Sequence, residues 1–270
     1  DESEMESHQI QMREKLVEWA GYSLSRKVNY LCDPKKIRDY MNKHPELNSI
    51  QKEHLEERIE ANEKIQDYHN NRRLEQKKRP PCIVDGDKIV LAKEKDVPKQ
   101  TSGNGCWSCV LSDMLAHFGV DLTQKEIRYY RPEFNPKSLN EKGAHDIADH
   151  LSRDLANEIF EVADLIHTTV PNVALHHMTV SPNTPNIKEK LMNKVKDILV
   201  NHNSPAAVWI NGHYRSIVGV QGDKFMVQDS NIKSSDKYLY YTANELLRQC
   251  NGNYMTIDWL QDITFTKDGK

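Results

Sequence analysis

The sequence predicts an α+β protein in which helices come first and an antiparallel sheet follows. Two observations carry this expectation. Residues 1 to about 79 hold a single glycine, Gly21, and place apolar residues at helical spacing. After Pro205 the texture changes to short apolar runs joined by Asn211-Gly212 and Gly222-Asp223, pairs that favour two-residue hairpin turns. Helices and strands are segregated rather than alternating, which argues against a parallel βαβ sheet.

In the N-terminal part, Leu16 with Trp19 and Ala20, Ile37 with Tyr40 and Met41, and then Leu55, Ile59 and Ile65 predict two or three amphipathic helices. Breaks are expected near Asp33-Pro34 and His44-Pro45. The 16 Lys/Arg and 16 Asp/Glu of residues 1–79 are interleaved, as on solvated helical faces. Residues 1–80 are therefore read as a helical N-terminal extension, an arm or small bundle. A protein partner docked through these helices is the sharper alternative. Residues 81–270 form the second predicted domain.

That domain opens with two short β runs in residues 82–93, around Asp85-Gly86, and a loop from Val97 to Gly105. Trp107, Val110, Leu111, Met114, Leu115 and Phe118 then stripe one buried helix that Gly119 stops. Thr123 to Glu126 has the capping-box pattern of a further helix. Residues 140–166 read as mostly helical, Val173 to Val180 as a strand, and Ile187, Leu191, Val195, Ile198 and Leu199 as a helix face. Ala206–Ile210, Tyr214–Gln221 and Lys224–Gln228 are strands, and Thr242 to Glu245 caps a short helix. Tyr254–Trp259 and Ile263–Thr266 are candidates for closing strands.

Bulk properties exclude some classes. A formal net charge of −3 over 270 residues gives no electrostatic case for nucleic acid or a membrane surface. No apolar run approaches the roughly 18 residues of a membrane span, so a soluble protein is expected. The start, DESEMESHQI, carries no visible secretory signal, and Asp1 in place of Met suits a trimmed piece. Cys32, Cys82, Cys106, Cys109 and Cys250 are odd in number and sparse. That is a poor disulfide framework and suits a reducing compartment or one free reactive thiol.

A thiol nucleophile needs a stabilised thiolate, a base within reach, a group orienting that base, and donors for the developing oxyanion. Cys106 opens a helix directly after Gly105, where the helix dipole favours negative charge. Gln100, six residues earlier, offers an amide donor. His213 opens one strand and Asp229 ends the next, and the turn at Gly222-Asp223 makes their ends neighbours. Position 213 is expected opposite a residue near 229–231.

These residues resemble the papain-like cysteine peptidase superfamily. The segment Gln100-Thr-Ser-Gly-Asn-Gly-Cys106-Trp107 is similar to its active-site segment, and the 16-residue step from His213 to Asp229 suits its histidine-to-Asn/Asp spacing. Gly212 to Val220 and Gly222 to Asp229, with Leu111 and Leu115 following Cys106, most resemble the bacterial C39-like branch. The resemblance covers roughly residues 97–231. Trp107 departs from the Gly often found there, and residues 120–200 match nothing in that pattern.

The resemblance implies a papain-like fold, with a helical subdomain carrying the cysteine helix packed on an antiparallel sheet. It implies Cys106 as nucleophile, His213 as general base and then acid, Asp229 as orienter, and Gln100 with the Cys106 backbone N–H as oxyanion hole. It further implies cleavage of peptide or isopeptide bonds in a protein or peptide substrate, and a bacterial, secreted or translocated origin.

Several alternatives use the same residues. A papain-like effector could deamidate a protein glutamine with the same triad. The domain could be a binding scaffold without catalysis. Cys106-Trp-Ser-Cys109 could be a redox C-x-x-C, but the βαβ context of that motif is missing, so Cys109 is read as a core residue. No second C-x-x-C completes four zinc ligands, and His176-His177 on a strand point to opposite faces. No metal and no cofactor are predicted. Trp209 and Trp259 are read as core aromatics.

Overall fold

The structure, a computed structural model, describes residues 2–25, 28, 31–71, 79–93, 95–101, 105–130, 164–170, 172–231 and 236–262. The chain divides into two compact units, Asp1–Asp67 with Lys125–Asp164, and Tyr68–Gln124 with Leu165–Lys270. No helix among the described residues is long and apolar enough to cross a membrane.

The first unit contains α1 (Glu2–Ala20), α2 (Pro34–Lys43) and nearly all of α3 (Ser49–Asn71). The breaks fall where the prolines predict them. Asp33 caps α2 by accepting from the Lys35 N–H, and Pro34 occupies the first turn, where its missing N–H costs nothing. Leu24, Val28, Ile37, Leu47, Leu55 and Ile59 make the core of this unit, with Tyr40 and Met41 packed against it. The expected face of α1 is corrected. Val17 is buried, whereas Leu16 and Trp19 are 49% and 54% exposed. Residues 125–130 also belong to this unit. Arg128 pairs with Glu18 at 2.6 Å, Lys64 with Glu126 at 3.0 Å, and the Tyr129 hydroxyl donates to Glu57 at 3.0 Å.

Among the described residues, the second unit is built on an eight-stranded antiparallel sheet. Its strands are β1 (Ile83–Asp85), β2 (Lys88–Val90), β3 (Val173–Val180), β4 (Ala206–Ile210), β5 (His213–Gln221), β6 (Lys224–Gln228), β7 (Leu239–Thr242) and β8 (Met255–Asp262). β5 is the spine. β4 pairs with its first half and β2 with its second along one edge, while β6 runs along the other. Asn211 and Gly212 both have positive φ, as a type I′ turn requires; at Gly222-Asp223 only the glycine does, as in type II′. The first hairpin turns at Gly86-Asp87, one residue later than expected, because Asp85 pairs with Lys88.

Helices among the described residues include α4 (Cys106–His117), α5 (Gln124–Tyr129), whose first residue belongs to this unit and the rest to the first, α6 (Ile187–Asn201) and α7 (Ala243–Gln249). Leu191, Val195, Ile198 and Leu199 of α6 and Leu246 and Leu247 of α7 pack on Val208, Ile217, Val220, Phe225, Val227 and Ile257 of the sheet. The capping box at Thr242 and Glu245 is formed in both directions. α4 packs against β5. Val110, Leu111, Met114 and Leu115 are buried as predicted, but Trp107 and Phe118 at the ends of the stripe are only half-buried, and so is Trp209. Trp259 is buried. An α+β protein with the cysteine-bearing helix on an antiparallel sheet is thus the observed architecture. Most of the expected helix at 140–166 and the strand at 263–266 lie outside the described residues.

Candidate active site

Cys106 is the first residue of α4. Its N-cap is Gly105, which has no side chain to occupy the first-turn N–H groups, so these and the helix dipole favour negative charge beside the sulfur. Cys106 is 8% exposed, and the Tyr214 backbone N–H lies 3.4 Å from its Sγ. The start of α4 and the start of β5 therefore meet at the thiol.

His213 and Asp229 come together through a defect in the sheet. β5 pairs with β6 as Gly219 with Met226, then Ile217 with Val227 and Ser216 with Gln228, so Val218 is one extra residue on β5. Continuing that count sets position 215 opposite 229, with 213 on the same side. Without the extra residue, Asp229 would stand opposite Ser216 and on the other face from His213. With it, His213 Nε2 is 2.7 Å from Asp229 Oδ1, and Arg215 Nε donates to Asp229 Oδ2 at 3.0 Å. The Asn231 N–H donates to Oδ1 at 2.9 Å. Arg215 is itself held by the Gln249 side-chain oxygen at 2.6 Å.

The electrostatics follow from these bonds. The hydrogen bond to Asp229, then the one to Cys106, raise His213 to about 9 against the opposing effect of burial. Because Nε2 is committed to Asp229, Nδ1 is the ring nitrogen left to exchange a proton with the thiol. Burial pushes the Asp229 carboxyl up, but hydrogen bonds from His213 and Asn231 and the charges of His213 and Arg215 outweigh it and hold the group at about 2. The stable state at neutral pH is a protonated imidazole between a carboxylate and a sulfur.

Gln100 sits in a loop laced to the segment after β6. Its N–H donates to the Ser230 carbonyl at 2.9 Å, and the Ser230 hydroxyl donates to its Oε1 at 3.0 Å. Lys99 Nζ reaches the Asp229 and Asn231 carbonyls at 3.3 and 3.2 Å. From the other side, Gln124 donates to the Lys99 carbonyl at 2.7 Å and accepts from the Thr101 N–H at 3.1 Å. Cys109 also donates its thiol to Gln124, at 3.1 Å, and is fully buried. Cys106 and Cys109 are not joined; Cys109 is a core residue bonded to the glutamine that anchors the loop.

A buried polar chain ties α4 to the β5–β6 hairpin. Lys93 Nζ pairs with Asp113 of α4 at 2.6 Å and donates to Gln228 at 2.8 Å; Gln228 donates to Asp96 at 2.7 Å. The Ser216 hydroxyl faces Asp113 at 3.4 Å. Burial lowers the affinity of Lys93 for its proton and raises that of Asp113, while each charge opposes the shift of the other.

Lys93, Asp113, Gln124, Arg215 and Ser230 were not singled out as site-building residues by sequence reasoning. Asp113 carried a signal, a carboxylate next to Met114 within an apolar helical stripe. The other four became visible only through their partners. His176 and His177 part as predicted for a strand: His177 pairs with Asp258 at 2.6 Å and His176 stacks on Trp259.

No protein-family model and no curated protein matches the chain. Among solved structures it is similar to UfSP from C. elegans, at 11% identity over 66% of this chain and 34% of that one, with a TM-score of 0.41. It is also similar to a double glycine motif protease from an AMS/PCAT transporter, solved in complex with the leader peptide. That match has 14% identity over 63% of this chain and 96% of that one, with a TM-score of 0.33. The chain thus matches about a third of the length of the first neighbour. Both likenesses are distant, and the chemistry of the site stands on its own residues.

Proposed function

We propose that this chain is a papain-like thiol hydrolase that cleaves peptide or isopeptide bonds, with Cys106 as nucleophile, His213 as base and acid, and Asp229 as orienter. One observation carries the reading: His213 Nε2 holds the Asp229 carboxylate at 2.7 Å, and the backbone N–H of the next residue, Tyr214, lies 3.4 Å from the Cys106 sulfur, so thiol, imidazole and carboxylate sit in one place. That is the relay a thiol nucleophile requires.

In the proposed reaction the Cys106 thiolate attacks the substrate carbonyl carbon. The oxyanion that forms is held by the Gln100 amide and the Cys106 backbone N–H. As the oxyanion collapses, the scissile C–N bond breaks and the His213 imidazolium gives its proton to the leaving amine. The resulting thioester is attacked by water, whose proton passes to the now neutral His213. Collapse of this second intermediate releases the carboxylic acid and restores the thiolate–imidazolium pair.

The test is labelling of the full chain with iodoacetamide, with mass mapping of the modified cysteine, followed by digestion of a peptide library. Cys106→Ala should lose both labelling at that peptide and turnover, while Cys109→Ala should keep them. Activity that survives Cys106→Ala refutes the assignment. If intact-mass analysis of modified proteins instead shows conversion of glutamine to glutamate without chain cleavage, the substrate is a side-chain amide rather than a peptide bond.

A further inference from the structure

The oxyanion donor of this reading, Gln100, has a side-chain amide whose two ends are nearly equal in shape and opposite in hydrogen-bonding sense. Only the NH₂ end can stabilise an oxyanion; the carbonyl end would repel it. Something must decide which end faces the reacting carbonyl. Ser230, fully buried and next in sequence to Asp229, donates its hydroxyl to Gln100 Oε1 at 3.0 Å.

We propose that Ser230 is a positioning residue for the oxyanion hole: by holding the carbonyl end of the Gln100 amide, it presents the NH₂ end to the developing oxyanion. This rests on the thiol-hydrolase reading above. Two adjacent residues at the end of the hairpin then have matching tasks. Asp229 orients the base, and Ser230 orients the oxyanion donor.

The surroundings make the proposal separable from simple packing. The backbone of the Gln100 loop is anchored without the Ser230 hydroxyl. The Gln100 N–H bonds the Ser230 carbonyl, Gln124 holds Lys99 and Thr101, and Lys99 holds the Asp229 and Asn231 carbonyls. Ser230→Ala keeps all of these bonds. It removes the Ser230 hydroxyl's bond to the carbonyl end of the amide.

The experiment compares two small reagents that modify the same thiol in the full chain. Iodoacetamide alkylates Cys106 by displacement at carbon and forms no oxyanion. p-Nitrophenyl acetate acylates it through a tetrahedral oxyanion. The ratio of acylation to alkylation rates reads the oxyanion hole and cancels changes in thiolate reactivity. Gln100→Ala should lower that ratio on the order of a hundredfold, as for a lost oxyanion donor. Ser230→Ala should lower it about three- to tenfold, the worth of one neutral hydrogen bond. Ser230→Thr, which keeps the hydroxyl, should restore it, and Ser230→Ala added to Gln100→Ala should lower it no further. A wild-type ratio in Ser230→Ala, with Gln100→Ala still impaired, overturns the positioning role and leaves the hydrolase reading intact. A wild-type ratio in Gln100→Ala removes the oxyanion role itself, and this proposal with it.

Discussion

Replacing Asp229 by Asn tests the electrostatics of the site most directly. Oδ1 of this carboxylate accepts from His213 Nε2 and from the Asn231 N–H, and Oδ2 accepts from Arg215 Nε. An asparagine has one acceptor end and one donor end. If its oxygen faces His213 and Asn231, its NH₂ opposes the Arg215 N–H. If it turns over, the NH₂ meets the Asn231 N–H and forces His213 into the tautomer with its proton on Nδ1, the wrong side for accepting one from the thiol. Either way the negative charge is lost, and Asp229 is the first cause of the rise of His213 from 6.5 to about 9. Losing it should lower that value by at least about one unit, a tenfold fall in the ratio of imidazolium to imidazole, or about 1.4 kcal/mol.

The assay is the rate of iodoacetamide alkylation at Cys106 against pH. In the wild type the alkaline change in rate should centre near pH 9, where His213 gives up its proton. In Asp229→Asn it should move toward neutral pH by one unit or more. The stability effect has a definite sign. The raised His213 contributes stability that is full below 6.5 and lost as pH rises through about 9. The lowered Asp229 contributes stability present above 3.8 and lost as pH falls through about 2. The variant should therefore fall furthest below wild type between pH 3.8 and 6.5. Superimposable alkylation profiles for the two proteins would refute the coupling between Asp229 and His213.

Two further predictions concern how the site is held. Lys93→Met leaves the fully buried Asp113 carboxylate without its 2.6 Å partner and should cost about 3–5 kcal/mol in urea unfolding, whereas adding Asp113→Leu should recover most of it; a single variant as stable as wild type would show that the pair does not clamp α4 to the sheet. Gly219→Ala would set a Cβ 2.6 Å from the Ile89 carbonyl oxygen, so it should cost about 1–3 kcal/mol. Amide exchange should quicken in residues 88–90 and not in 206–210, and an unchanged exchange pattern would show that β2 tolerates the displacement.

Local patterns were legible wherever the cause is local. The prolines at 34 and 45, the capping box at Thr242, the Asn211-Gly212 and Gly222-Asp223 turns and the apolar stripe of α6 act within a few residues, and each forms the predicted element. The face of α1 was not legible. Leu16 and Trp19 outweigh Val17 in hydrophobic size, yet Val17 is the buried one. Which side of an amphipathic helix is covered depends on what packs there, not on the helix alone. The half-exposure of Trp107 and Phe118 at the two ends of a correctly placed buried stripe has the same origin.

By itself the sequence determined the α+β class, the order of the elements and the four residue types a thiol hydrolase would need, because periodicity, capping and turn chemistry are short-range properties. The meeting of His213 with Asp229 was decided by the fold. It depends on Val218 being an extra residue in β5, and one residue of register decides which face a side chain occupies. The contacts of Ser230 with Gln100, of Gln124 with Lys99 and Thr101, and of Lys93 with Asp113 were likewise set by tertiary structure. Their partners lie between 20 and 130 residues away along the chain, and only chain folding brings such groups within a hydrogen bond.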